Sequence, residues 1–144
     1  MPPSASSPLL ERPLPNIHRP TLGGQRVDTD QRRGSVVVVK FFAKYCAPCQ
    51  QTLPAAQALH AERADVLVIG VSEDEDEDSA REQVARYGLT FPVVLDRDNV
   101  IAGRFRVREL PAAVVADRNG RIVWVGGPEQ GEHDLRRAVE AVPP

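Results

Sequence analysis

Hydrophobic residues in this chain form short runs separated by polar turns, and the runs predict β-strands. Residues 36–42 and 66–71 are almost continuous in β-branched and aromatic residues, which is typical of strands buried on both faces of a sheet. Residues 112–116 and 122–125 flank Asp117-Arg118-Asn119-Gly120, a sequence typical of a tight turn. These last two runs therefore predict a hairpin.

Segments with helical spacing of apolar residues lie between the strands. The first helix is expected to follow Cys46 and to run to about Arg63, with a bend at Pro54. A second helix is expected to begin at an N-cap, Ser79, and to end at Gly88. The remaining elements are a short strand at residues 93–95, a small helix at residues 100–105, and a closing helix with the apolar stripe Leu135, Ala138, Val139 and Val142.

The order of these elements predicts an α/β fold with parallel strands first and an antiparallel pair last. Residues 16–30 contain two short extended pieces around Gly23-Gly24, which predicts an N-terminal hairpin. Residues 1–13 are rich in proline and serine and are expected to form a flexible tail. Residues 14–144 then form a single domain.

Composition agrees with one globular domain and narrows the possible partners. The 144 residues are 42% apolar and 26% charged, which suffices for a buried core. The net charge is −2 and the arginines are dispersed among acids, so no nucleic-acid surface is expected. No apolar stretch approaches the ~20 residues of a membrane span, and no export signal is visible. We expect an extracytoplasmic protein if a leader has been removed, and a cytoplasmic one otherwise.

The candidate chemistry lies in Cys46-Ala47-Pro48-Cys49, which contains the only two cysteines of the chain. If Cys46 lies in the first turn of a helix, unpaired N–H groups favour its thiolate, so Cys46 is expected to be the nucleophile. Cys49 lies one helical turn later and is expected to resolve the mixed disulfide formed at Cys46. Pro48 has a fixed φ, which limits the conformations that link the two sulfurs.

Two structural uses of the cysteine pair are less well supported. A zinc site needs four ligands, and His18, His60 and His133 are scattered singly along the chain. A purely structural disulfide would close a loop of only four residues, which removes little entropy from the unfolded chain. Redox catalysis through a reversible disulfide is the preferred interpretation, and it requires neither a metal nor an organic cofactor.

Three motifs occur in a fixed order: C-A-P-C after residues 41–45, T-F-P-V-V-L-D at residues 90–96, and Leu110-Pro111 before residues 113–120. Together they resemble thioredoxin-fold thiol–disulfide oxidoreductases of the TlpA and ResA type, in the AhpC/TSA and redoxin superfamily. The resemblance implies a thioredoxin-like fold with a central mixed β-sheet flanked by helices. It also implies an enzyme that exchanges dithiol for disulfide with protein substrates, as a reductant. A separate redox protein would recharge the cysteine pair, and a monomer is expected.

The resemblance also assigns a substrate surface. In that family the proline that starts the first hairpin strand is cis and lies against the disulfide, and here it is Pro111. Pro111 and the backbone of Leu110 are therefore expected to contact a peptide held as an extended strand. Tyr45 stands where the family carries tryptophan before its first cysteine, so an aromatic ring still covers the site. Pro48 completes the expected surface.

A charged pair is expected near Cys49. Thioredoxins hold a buried acid at the strand position that Lys40 occupies, and Glu73 matches a glutamate that ResA-like proteins place near their cysteines. We expect Lys40 and Glu73 to form a partly buried pair that moves the Cys49 proton, with Glu73 as a catalytic group and Lys40 as a proton relay. The alternative is that Lys40 extends to solvent and Glu73 only begins the acidic run 73–78, a predicted solvated loop.

Two other functions remain open from the sequence. A peroxiredoxin shares much of this architecture, but residues 41–45 lack the threonine or serine of its P-x-x-x-T/S motif. A copper-delivery module could hold Cu(I) with two thiolates and a third soft ligand, yet Met1 is the only methionine and no histidine is close in sequence. Peroxide consumption would favour the first, and a tight stoichiometric copper complex without exchange activity would favour the second.

Overall fold

A computed structural model describes residues 7–144, which contain a five-stranded and a two-stranded β-sheet. In chain order the strands are β1 (His18–Pro20), β2 (Arg26–Asp28), β3 (Val36–Phe42), β4 (Val66–Ser72), β5 (Val93–Leu95), β6 (Ala112–Ala116) and β7 (Ile122–Gly126). The larger sheet has the order β5-β4-β3-β6-β7. β3, β4 and β5 are parallel, while β6 is antiparallel to β3 and to β7. The predicted mixed α/β sheet is therefore confirmed.

Helices cover both faces of the larger sheet. They are α1 (Cys49–Glu62), α2 (Glu77–Tyr87), α3 (Val100–Arg104) and α4 (Glu132–Glu140). Successive strand residues point to opposite faces. On β3, even-numbered residues such as Val38 pack with α1 and α4, and odd-numbered residues such as Val39 pack with α3. Both faces of the central strand are buried, as its continuous apolar run predicts.

The N-terminal hairpin is also confirmed. β1 and β2 pair antiparallel and form the small second sheet. The turn between them is tied to the edge of the large sheet, because Leu22 N donates a hydrogen bond to Val93 O at 2.9 Å. Ile17 N donates to Thr29 Oγ1 at 2.9 Å, which closes the base of the hairpin.

The packed part of the chain begins before the expected boundary at residue 14. Leu9 is buried, at 7% exposure. Glu11 N donates to Ile122 O at 2.8 Å, and Ile122 N donates to Arg12 O at 2.9 Å. This short segment therefore lies along β7 and satisfies backbone groups that an unpaired edge would leave open. Residues 1–6 of the predicted tail lie outside the described residues.

The predicted first helix is confirmed: α1 follows Cys46, begins at Cys49 after the turn residues 47 and 48, and ends at Glu62. The predicted start of the second helix is wrong. α2 begins after Asp76, whose carboxylate accepts hydrogen bonds from Ser79 N at 3.0 Å and Ser79 Oγ at 2.8 Å. Ser79 is thus a donor to the N-cap and not the cap itself.

Candidate active site

The two cysteines lie where the central strand meets the first long helix. Cys46 and Cys49 are joined by a disulfide, with their Cα atoms 5.4 Å apart. Cys46 is 7% exposed and Cys49 is fully buried, so Cys46 is the sulfur more accessible to another molecule. Cys49 N donates a hydrogen bond to Cys46 Sγ at 3.2 Å. The same N–H also donates to Cys46 O at 3.2 Å. It lies at the helix start, and it would stabilise a Cys46 thiolate in the reduced protein.

An exposed tyrosine stands beside this disulfide. The Tyr45 ring is 73% exposed and shares a surface depression with Lys44, Asp74 and Glu75. Partial burial raises the pKa of Tyr45, and nearby carboxylates, beginning with Glu73, raise it further. The active-site loop is fixed to the acidic segment, because Lys44 N donates to Asp74 Oδ1 at 2.9 Å.

Leu110 and Pro111 lie immediately before β6, far from the cysteine pair in sequence. The Leu110–Pro111 peptide bond is cis, as the resemblance implies. Leu110 packs against the buried cluster that contains both cysteines. Pro111 lines a small cavity together with Lys40 and Thr52.

Lys40 is enclosed between the sheet and the helices. It lies on β3, is 2% exposed, and pairs with Gly70 of β4 and Ala113 of β6. Burial lowers the pKa of Lys40 to about 7, because the charged ammonium group loses its hydration. Its cavity neighbour Thr52 donates a hydrogen bond to the backbone carbonyl of Cys49 at 3.0 Å. Lys40 therefore does not extend to solvent.

The expected pair between Lys40 and Glu73 is not formed. No salt bridge joins them within the described residues, and neither carboxylate nor ammonium contributes to the other's pKa. Strand alternation gives the reason. Lys40 lies two residues after Val38, so it shares the face of the sheet that packs with α1 and α4. Glu73 lies two residues after Val71, so it shares the face that packs with α3. The two groups therefore belong to opposite faces of the sheet.

Glu73 is a buried carboxyl without a counter-charge. It is 8% exposed, and neither carboxylate oxygen has a hydrogen-bond partner among residues 7–144. Desolvation raises the pKa of Glu73 to about 9, with further contributions from the carboxyl groups of Asp96 and Asp74. Glu73 N donates to Phe42 O at 2.8 Å, which places the residue beside the strand end that leads to the cysteines.

The acidic run is divided between the interior and the surface. Glu73 and Asp74 are buried, whereas residues 75–78 are exposed. Asp74 is held by Lys44 N and by the Ser72 hydroxyl, which donates at 2.9 Å. The prediction of solvent exposure is therefore right for residues 75–78, although Glu77 and Asp78 belong to α2 rather than to a loop, and it is wrong for Glu73 and Asp74.

Comparisons with known proteins agree with this geometry. Residues 10–125 match the sequence profile of the AhpC/TSA family. The chain belongs to this family. Thiol-disulfide oxidoreductase ResA of Halalkalibacterium halodurans is 29% identical over 125 residues, covering 85% of this chain and 71% of ResA. Thioredoxin-like protein YneN of Bacillus subtilis is 32% identical over 112 residues, covering 75% of this chain and 65% of YneN.

A solved structure extends the likeness to three dimensions. A secreted disulfide oxidoreductase of Mycobacterium tuberculosis, homologous to E. coli DsbE, superposes with a TM-score of 0.79. It is 26% identical and covers 88% of this chain and 96% of its own. This AhpC/TSA-family chain thus has the thioredoxin fold and is a thiol–disulfide oxidoreductase of the TlpA/ResA type that acts on proteins.

Among residues 7–144, no group of three or more His, Cys, Asp or Glu side chains is arranged to hold a metal ion. None of the helices in the same range has the length and hydrophobicity that a bilayer crossing needs.

Asp96 is the functional candidate that the sequence analysis missed. It follows β5, is 2% exposed, and contributes to the environment of Glu73. The sequence carried only a weak signal, an aspartate four residues before the predicted small helix, whose carboxylate accepts from Ile101 N and Ala102 N of α3. Nothing in the sequence places it next to Glu73.

Proposed function

We propose that Cys46-Ala47-Pro48-Cys49 is the active site and that the chain works as a reductant of protein disulfides. The observation that carries this proposal is the asymmetry of the two sulfurs. Cys46 is the more accessible one and accepts a hydrogen bond from the amide at the helix start, while Cys49 is buried behind it. An accessible, amide-stabilised thiolate is suited to attack, and the buried thiol to resolve.

The proposed reaction transfers two electrons. The Cys46 thiolate attacks one sulfur of the substrate disulfide, which forms a Cys46–substrate disulfide and releases the other substrate sulfur as a thiolate. Cys49, once deprotonated, attacks Cys46 and releases the second substrate thiolate. The protein is oxidised to the Cys46–Cys49 disulfide, and the substrate takes up two electrons and two protons. A separate redox protein must then reduce the pair, and no metal or organic cofactor takes part.

Lys40 is the proposed acceptor of the Cys49 proton. Cys49 is fully buried, so solvent does not reach its thiol. Lys40 lies on the same face of the sheet, and its pKa of about 7 makes the neutral amine available near neutral pH. Thr52 lines the same cavity as Lys40, and its hydroxyl donates a hydrogen bond to the backbone carbonyl of Cys49, which supports this assignment.

The proposed substrate surface surrounds Cys46. Tyr45 offers an exposed aromatic face. Pro48, at the start of α1, and Pro111, just before β6, would give this surface a rigid backbone. The Leu110 backbone would accept an extended peptide by strand-like hydrogen bonds. We propose that the chain acts as a monomer.

The proposed compartment is extracytoplasmic. The Mycobacterium tuberculosis relative is a secreted protein with a TM-score of 0.79 to this chain, which supports the proposal.

The direct test is to trap the reaction halfway. In Cys49→Ser, the attack by Cys46 still occurs but resolution does not, so a covalent complex with the substrate protein is expected to accumulate. Non-reducing gel electrophoresis and mass spectrometry would detect it. Cys46→Ser is the matched control and is expected to trap nothing. Absence of any dithiothreitol-sensitive complex in Cys49→Ser, with model disulfide proteins as substrate, would overturn the proposed order of attack.

Glu73 is the proposed second proton-transfer group, on the face opposite Lys40. Since the pKa of Glu73 is about 9, its carboxyl is protonated at neutral pH and can protonate a departing thiolate. Glu73→Gln is expected to slow exchange at pH 7 roughly tenfold or more and to remove a step near pH 9 from the pH profile. Glu75→Gln, a change of an exposed acid two residues later, is the control. An unchanged profile in Glu73→Gln removes Glu73 from the mechanism.

A further inference from the structure

A cleft lies at the β5 edge of the five-stranded sheet, between that sheet and the N-terminal hairpin of β1 and β2. Its volume is about 730 Å³, which is within the range of ~300–1,000 Å³ that is typical of small-molecule sites. It shares no lining residue with the depression beside Tyr45 or with the cavity beside Lys40. This cleft is therefore separate from the proposed active site.

The cleft exists because β5 is shorter than the strand beside it. β4 has seven residues, but β5 pairs only with residues 70–72. The first part of β4 therefore has no strand neighbour on this side, and the cleft lies there, between Leu67 of β4 and the hairpin. Leu22 and Val93 both line it, and Leu22 N donates to Val93 O at 2.9 Å. This hydrogen bond ties the hairpin turn to the wall of the cleft.

The inner wall of the cleft is apolar. Its buried residues include Leu67, Leu89, Phe91 and Val93. Residues 90–93 belong to the sequence T-F-P-V-V-L-D, which has no part in the proposed exchange reaction. Such a wall favours the apolar part of a ligand, because contact removes both surfaces from water.

The outer rim of the cleft is exposed and carries unpaired positive charge. His18, Arg26 and Asp28 share one face of the hairpin, because His18 pairs with Asp28 across the strands and Arg26 lies two residues before Asp28. Arg32 lies in the helical turn that follows β2. All four residues line the cleft, and Asp28 is the only acidic residue that does so. Among residues 7–144, neither Arg26 nor Arg32 forms a salt bridge.

We propose that this cleft binds a small amphipathic carboxylate, with its apolar body against the inner wall and its carboxylate at Arg26 and Arg32. The guanidinium group suits this ligand, because its N–H groups can bond both oxygens of a carboxylate. Charge complementarity supports the choice of an anion. The chain has a net charge of −2, yet two arginines without an acidic partner gather at this rim. The site is independent of the proposed function in disulfide exchange.

The test compares octanoate with 1-octanol, which has the same chain length and no charge. Binding to the full chain at pH 7 is followed by NMR shifts of backbone amides. The amides that report on the cleft are those of Leu22, Leu67, Phe91 and Val93. Octanoate is expected to shift them saturably and to bind at least about tenfold more tightly than 1-octanol, because only octanoate accepts charge-assisted hydrogen bonds.

Two variants locate the anion. Combined Arg26→Gln and Arg32→Gln is expected to weaken octanoate binding about tenfold or more and to leave 1-octanol binding unchanged. Arg19→Gln is the matched control, because Arg19 pairs with Val27 on the opposite face of the same hairpin and does not line the cleft. It is expected to leave octanoate binding unchanged.

Several results would overturn the proposal. They are equal binding of octanoate and 1-octanol to the wild type, no saturable shift at the cleft amides, and an equal loss of binding in Arg19→Gln. The first two do not depend on how well any variant folds. Shifts of the same amides with protein concentration alone would also overturn it, because a second copy of the chain would then occupy the cleft.

Discussion

Replacing Cys46 by serine is expected to abolish catalysed disulfide exchange. The serine hydroxyl is not ionised at neutral pH and forms no mixed disulfide, so both electron-transfer steps are lost. We expect a loss of about a thousandfold or more in the rate of dithiothreitol-driven reduction of a model protein disulfide. The structure supports Cys46 as the attacking residue through its 7% exposure and the hydrogen bond from Cys49 N to its sulfur.

The comparison with Cys49→Ser makes this prediction specific. Both variants lose turnover, but Cys49→Ser retains the attacking thiol and is expected to consume one equivalent of substrate disulfide. Rapid formation of a mixed disulfide in Cys46→Ser, with none in Cys49→Ser, would reverse the two roles. Circular dichroism of both variants under reducing conditions checks that the fold is retained.

Replacing Lys40 by methionine is expected to stabilise the protein at and below neutral pH. The pKa of Lys40 is about 7 in the folded protein and 10.5 in the unfolded chain. Between these values the unfolded state binds more protons, so the wild-type stability rises with pH from about 7 to 10.5. Below pH 7 the full cost of the buried ammonium group remains. Methionine has a similar length and no charge, so the gain there is about 2–4 kcal/mol.

Urea unfolding at pH 6, 8 and 10 would measure this effect. The difference between Lys40→Met and wild type is expected to be largest at pH 6 and to shrink toward pH 10. Lys44→Met, a change of an exposed lysine in the next loop, is expected to have little effect at any of these values. A wild-type stability that does not change between pH 7 and 10 would show that Lys40 keeps its ordinary pKa.

The same variant tests the proposed proton transfer. Without the amine, deprotonation of Cys49 is expected to limit resolution, so Lys40→Met should accumulate the Cys46 mixed disulfide at neutral pH. Lys40→Met is thus predicted to be more stable and less active than wild type. This opposite change in stability and activity is typical of residues retained for catalysis rather than for folding.

Local pattern predicted most of the secondary structure. The β-branched runs gave the bounds of β3 and, to within one residue, of β4. The Asp117-to-Gly120 turn gave the hairpin of β6 and β7, and Gly88 ended α2 in a left-handed conformation with φ of 60°. The error falls at the start of α2, because Asp76 and Ser79 are both residue types that favour the N-cap and only the backbone conformation shows that Asp76 is the cap.

The sequence by itself determined the elements and the redox-active pair, because periodicity, turn residues and a three-residue spacing act over short distances. Tertiary structure alone decided which charged groups meet. Lys40 and Glu73 became separated because their strands pair in a register that sends them to opposite faces. Glu73 and Asp96, which are 23 positions apart, came together because β5 lies beside β4. Strand order and register are set by packing of the whole core, and no local pattern encodes them.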